Sequence, residues 1–271
     1  MSEVERAGTR LSYEVSGAGA AVLLLAPPPT GLVDEPDPSD TRRLLAQEFR
    51  VIAPHPRHSG RGAAPLQPFS YERSAEDQMA VLDELGVEGA HVVAFGSGCA
   101  QAWALAERAP QRVRSLVCVE PAGLADGTVL GDFHAPFDEA MRTARAAGVA
   151  GVLELADREG AFALAPGAGP FAAALRTSVE SRTELSRLSV ERYVVLLGRY
   201  RDGLWPAGSP YFSVTEESMR RLAAPLSVVP GSTRTHPEGL AKALVRDVLG
   251  ARLSGRGPER VAEFLTECAA S

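Results

Sequence analysis

The sequence has no run of eighteen apolar residues, so no segment reads as a bilayer-spanning helix. Met1-Ser2-Glu3 lacks the basic and apolar regions of a secretion signal. Cysteine is scarce. Cys99, Cys118 and Cys268 are odd in number and stand at no metal-binding spacing, which fits a reducing, cytoplasmic setting. Acidic residues outnumber basic ones, 34 to 28, and a formal net charge of −6 excludes bulk electrostatic binding of nucleic acid. There are five histidines and none after His236. No internal repeat is visible. What is present suits a globular chain: 271 residues, 45% hydrophobic and 23% charged, bound one or two domains with a sizeable core.

Short apolar runs alternate with helical patterns. Ala21 to Leu25, Arg50 to Pro54, His91 to Phe95, Arg114 to Val119 and Ala224 to Val229 read as strands, most of them buried on both faces. Arg10 to Val15 alternates as an early strand, and Ala251 to Ser254 reads as a last short one. Helices are expected over Ser39 to Phe49 with Ser39 as N-cap, over Tyr71 to Leu85 ending at Gly86, and after the turn at Gly96. Two more are expected near the end, one opening at Thr235-His236-Pro237 and one from Val261 to Cys268. Such alternation implies an α/β fold, a mostly parallel sheet with helices on both faces. From Ala125 to Leu222 the pattern changes to helical pieces interrupted at Pro136, Gly148, Gly160, residues 166–170 and residues 206–208. Aromatics gather late in that stretch, at Tyr193, Tyr200, Trp205, Tyr211 and Phe212.

His91 to Ala106 forms a strand, a small-residue turn and an alanine-rich helix, with Ala94-Phe95-Gly96-Ser97-Gly98 at the turn. The helix ends at Arg108-Ala109-Pro110, and Glu120-Pro121-Ala122-Gly123 follows the next strand. This arrangement resembles the nucleophile elbow, Gly-x-Ser-x-Gly, of the α/β-hydrolase fold superfamily. The resemblance implies a core of residues 1–124 and 223–271 and a helical cap of residues 125–222. It also implies where a Ser-His-acid triad would stand. Gly96 occupies the nucleophile position, Arg234 the acid position, and no histidine precedes the final helix. Pro28, which has no N–H, falls where a backbone donor to the oxyanion is expected. In the family's Asp-x-Arg-Gly-x-Gly loop, Arg57 and Gly60 match, while His55 and His58 replace the aspartate and a glycine.

Acyl transfer needs a nucleophile, a base and an oxyanion hole together. With those positions altered, the expectation is a non-hydrolytic, cofactor-free enzyme of cyclase, isomerase or lyase type, binding no metal and acting on an apolar small molecule of specialised metabolism. His236, His55 and Glu120 are the expected catalytic groups. Pro28, Arg57, Gly96, Ser97, Arg234, Tyr200 and Trp205 are the expected substrate-binding residues, because ligands of open α/β sheets lie at the carboxyl ends of the strands. His91 is expected to be structural, at the other end of its strand. No nucleic-acid or membrane partner is expected, and a homodimer is compatible with the sequence. Three alternatives stay open: a non-catalytic small-molecule binder, a hydrolase using Ser97, Cys99 or an activated water, and a dinucleotide site. The last needs a third glycine where Gln101 stands.

Overall fold

The structure is a computed structural model that describes residues 2–159 and 161–270; Met1, Gly160 and Ser271 lie outside the described residues. In chain order its elements are β1 (Ser2–Arg6), β2 (Thr9–Ser16), β3 (Ala21–Leu25), α1 (Ser39–Leu45), β4 (Arg50–Pro54), α2 (Tyr71–Glu84), β5 (Ala90–Phe95), α3 (Gly98–Arg108) and β6 (Val113–Val119). Then follow α4 (Leu130–Glu159), α5 (Ala172–Thr177), α6 (Val179–Ser186), α7 (Val190–Leu204), α8 (Glu216–Arg220), β7 (Leu226–Val229), α9 (Glu238–Asp247), β8 (Arg252–Leu253) and α10 (Pro258–Ala269).

The strands form one eight-stranded sheet in the order β1-β2-β4-β3-β5-β6-β7-β8. β1 and β2 are antiparallel to their neighbours, and every other pairing is parallel. The period-two alternation of a strand sorts side chains into two layers. Leu23 and Leu25, Val92 and Ala94, and Leu116 and Cys118 face the core shared with Trp103 of α3 and Leu244 of α9. Val22 and Leu24, Val93 and Phe95, and Val117 face the opposite core, closed by Leu45 of α1 and Phe264 of α10. The sheet is therefore covered on both faces, as expected. β1 carries little apolar signal in Ser2-Glu3-Val4-Glu5-Arg6. It pairs because Ala7 and Gly8, both at positive φ, make a tight hairpin turn onto β2.

Between β6 and β7 the chain is helical. A third core there gathers Phe133, Phe137, Tyr193, Tyr200, Trp205 and Phe212. α4 runs through Pro136 and bends at Gly148, whose φ of 67° and ψ of −175° are not helical. Pro136 does not break the helix as expected. Its ring instead packs on Gly31, where a β-carbon would come within 2.5 Å of Pro136 Cβ. Two helix starts also differ from expectation. Pro38, not Ser39, caps α1, because the Asp37 carboxylate takes the Ser39 N–H (2.9 Å) and hydroxyl (2.6 Å). α9 begins after Pro237, which leaves Thr235 and His236 in the preceding loop. Among the described residues no helix is long and apolar enough to cross a membrane.

Candidate functional site

The turn from β5 into α3 sets the floor of the site. Gly96 stands at φ +52°, a left-handed conformation that glycine adopts without steric cost. Two residues on, a β-carbon at Gly98 would lie 2.8 Å from the Leu25 carbonyl oxygen and 3.1 Å from that of Ala26, so only glycine lets α3 start this close to β3. β3 runs out into a loop, residues 26–38, stiffened by Pro27, Pro28 and Pro29. That loop folds back over the turn and brings Asp34 and Glu35 onto it.

Glu35 fills the space above Gly96. A β-carbon on Gly96 would overlap Glu35 Oε2 and come within 2.8 Å of Pro36 Cδ and 3.1 Å of His236 Nε2. The carboxylate is held from several sides. Glu35 Oε1 accepts the hydroxyls of Ser97 (2.5 Å) and Thr30 (3.0 Å), while Oε2 accepts the Ser97 backbone N–H (3.0 Å). His236 Nε2 lies 3.3 Å from the same Oε2. On the other side of the ring, Nδ1 stands 3.2 Å from Thr235 Oγ1, 3.1 Å from Thr233 Oγ1 and 3.5 Å from Asp34 Oδ2. Thr235 donates its own hydroxyl to Asp34 Oδ2 (2.7 Å), so it has a lone pair left to accept from Nδ1–H.

His236 is fully buried, which alone would favour a neutral ring. Hydrogen bonds and charge from Asp34 and Glu35 outweigh that burial and raise its pKa to about 9. Burial pushes Asp34 upward, but the His236, Thr233 and Thr235 contacts dominate and hold it well below the usual carboxylate range. At neutral pH the centre is thus an imidazolium between two acids. Such a ring holds its proton firmly and offers charged N–H donors, and Glu35 is the carboxyl group beside it. The Ser97 N–H is already engaged by Glu35, and Pro28 has none to offer, so neither stands free to meet an oxyanion. Among the described residues no group of His, Cys, Asp and Glu is arranged to hold a metal ion, this cluster included.

The expected site residues do not converge: three meet at Glu35, four line a second cavity, and Glu120, Arg234 and Trp205 belong to neither. Gly96, Ser97 and His236 meet at Glu35. Pro28, His55, Arg57 and Tyr200 instead line a second cavity, between β4, α2 and the cap. Within it Arg57 is tied to Asp77 by Nε to Oδ2 at 2.6 Å and Nη2 to Oδ1 at 2.8 Å. His55 Nε2 stands 3.4 Å from Glu14 Oε1, and burial together with the Arg61 charge lowers its pKa. Glu120 ends β6 at φ +49°, its N–H on the Val229 carbonyl at 2.8 Å. Arg234 is paired with Asp132 at 2.8 Å and is 65% exposed. Trp205 is packed in the cap core against Phe133 and Phe212. Cys99 Sγ donates to the Ala94 carbonyl (3.3 Å), and burial and Cys118 raise its thiol pKa well above the ordinary value. His91 Nδ1 and Ser115 Oγ pair at 2.8 Å, near the amino ends of their strands. Sequence reasoning missed Asp34 and Glu35. The available signal was two adjacent acids in the loop leaving a buried strand beside the turn.

The fit between Gly96 and Glu35 is open to a direct check. Gly96→Ala should destabilise the fold by about 1–3 kcal/mol, from left-handed strain and expulsion of Glu35. Chemical denaturation measures the first, and a return of the His236 pKa toward 6.5, read by NMR, reports the second.

Comparison with known proteins follows this geometry. Residues 38–218 match the family model described as alpha/beta hydrolase fold. Over 117 residues the chain is 37% identical to the protein named "Putative carbamate hydrolase RutD" of Azorhizobium caulinodans, covering 43% of each. It is 33% identical over 125 residues to the 2-hydroxymuconate semialdehyde hydrolase of Pseudomonas putida, covering 45% of this chain and 44% of that one. The matches thus span less than half the length of these relatives. A solved enol-lactonase from Burkholderia xenovorans superposes over 98% of this chain and all of its own (100%), with a TM-score of 0.63 at 18% identity, a likeness of fold. The matched family model, the mostly parallel sheet and the helical insert agree: the chain belongs to the α/β-hydrolase fold family.

Proposed function

We propose that the protein is an enzyme working by general acid–base catalysis at Glu35 and His236, with Asp34 orienting the imidazole and with no acyl-enzyme at position 96. Its substrate is an apolar, carbonyl-bearing small molecule, and its reaction is a cofactor-free proton transfer of isomerase, cyclase or lyase type. One observation carries this. The space above the turn is taken by the Glu35 carboxylate, seated on Ser97 with the His236 ring at 3.3 Å. Glu35 turns from His236 to accept a proton from carbon, which releases His236 Nε2–H to donate to the carbonyl oxygen; both protons then return in the opposite sense to a new position. Unlike acyl transfer, this sequence places a full donor, not a pair of amides, at the oxygen. An open groove lined by Leu32, Val33, Asp34, Thr235 and one face of α4 reaches the outer side of this centre at Asp34 and Thr235.

A second reading, hydrolysis by a water that Glu35 deprotonates, is favoured by the relatives named as hydrolases. Isotopes separate the two. With a panel of apolar ketones in D2O, the wild type should place deuterium α to the carbonyl, and Glu35→Gln should lower that rate by about a hundredfold or more. Appearance of 18O from labelled water in the acid product of apolar esters, lost in the same variant, would establish the hydrolytic reading instead. Labelling of Ser97 by a fluorophosphonate, or ester cleavage indifferent to Glu35→Gln, overturns both. Saturable binding without turnover on either panel would mark a binder.

A further inference from the structure

The second cavity, about 670 Å³ when the solvent at its open mouth is counted, includes none of Asp34, Glu35, Gly96 or His236 among its walls. The apolar part of its wall is flat, built from Pro28, Pro54, Pro68, Phe69 and Tyr200. Two deeply buried polar groups on that lining have no partner: Nδ1 of His58, a residue 5% exposed, and Oε1 of Gln78, 3% exposed. Buried polar atoms in native proteins are overwhelmingly paired, and these two orphans on the cavity lining are open to a ligand. His58 also holds a left-handed backbone, φ +64°, which side-chain-bearing residues rarely adopt and which collects at functional sites. Its ring is pinned edge-on to Phe171 at 4.8 Å. Burial and the nearby Arg57 and Arg73 charges lower its pKa to about 3, so it meets a ligand as a neutral imidazole.

The polarity of the Gln78 orphan is fixed by a relay. The Ala26 carbonyl can only accept, so Gln101 turns its Nε2 toward it (3.3 Å). Gln101 Oε1 then accepts from Ser74 Oγ (2.5 Å), and Ser74 Oγ accepts from Gln78 Nε2 (3.2 Å). Gln78 Oε1 is left facing outward from the chain of donors as an acceptor. The guanidinium of Arg57 is matched by Asp77 and that of Arg73 donates to the Pro68 carbonyl, so both cations on the lining already have partners. A neutral molecule with a flat apolar body and a hydroxyl to donate satisfies all of this.

We infer that this cavity is a second small-molecule site, selective for uncharged hydroxyaromatic compounds whose hydroxyl donates to Gln78 Oε1 beside the His58 imidazole. It stands independently of the chemistry assigned to Glu35. Isothermal titration of the full chain with p-cresol, toluene and p-toluate tests it. p-Cresol should bind roughly tenfold or more tighter than toluene, the worth of one buried hydrogen bond, and also tighter than p-toluate. Gln78→Met should bring p-cresol down to the toluene level, while Glu35→Gln should leave the preference intact. Because Gln78→Met risks the relay, 15N spectra of wild-type histidine give a second readout: p-cresol should shift the His58 ring and leave His236 unmoved. Equal binding of cresol and toluene, preference for p-toluate, or a shift at His236 without one at His58 overturns the inference.

Discussion

Replacing His236 with leucine should cost about 3–5 kcal/mol of stability at neutral pH, as loss of one partner does in a buried ion pair. The ring is fully buried between Asp34 and Glu35, so its removal leaves two carboxylates facing each other without the cation between them. The effect carries its own pH signature. The folded-state pKa is raised, from 6.5 to about 9, so the stabilisation is complete below pH 6.5, falls between 6.5 and 9, and is gone above 9. The shift corresponds to about 3 kcal/mol. Denaturation of wild type and His236→Leu at pH 6, 7.5 and 9.5 should therefore show the gap narrowing as pH rises. A gap that stays constant would mean the ring acts by packing alone. Asp34 works in the other direction: its depressed pKa stabilises the fold above 3.8 and that contribution is lost on acidification below it.

Trp205→Ala should have an effect of similar size in a different place, about 3–5 kcal/mol, because it empties the largest side chain of the cap core. Trp205 is fully buried, with ring centroids 4.7 Å from Phe133 and 4.8 Å from Phe212. Trp205→Phe should cost less, since Trp205 Nε1 has no partner and a phenyl ring gives up no hydrogen bond. The cap core is distinct from the two that flank the sheet. Amide exchange in Trp205→Ala should therefore rise over α4 and α7 while β5 stays protected. Equal acceleration in β5 would mean that cap and sheet unfold as one unit.

The central strands were legible because each is a short, two-sided apolar run, and Gly96 and Gly98 marked a turn whose backbones must nearly touch. β1 was not, since a hairpin turn and pairing place it rather than any apolar face. Pro136 misled for a similar reason. A local rule against proline in helices yields when the ring has a packing partner, here Gly31. The site was half legible. His236 was expected to act, and it stands at the centre described above. Glu35 and Asp34 stayed hidden because nothing local distinguishes two loop acids from solvated ones. Their meaning comes from a loop that doubles back, and periodicity does not encode where a loop lands.

Glu35 sits 201 residues ahead of the histidine that compensates it, and Asp34 immediately precedes Glu35. During synthesis on the ribosome the two acids emerge long before β7 and its following loop exist. A nascent chain that already has β3 and β5 side by side still lacks the cation that offsets the burial of the two acids. Completion of the centre thus waits for the last part of the fold, and any fragment ending before residue 236 would lack the ring that bridges the two acids.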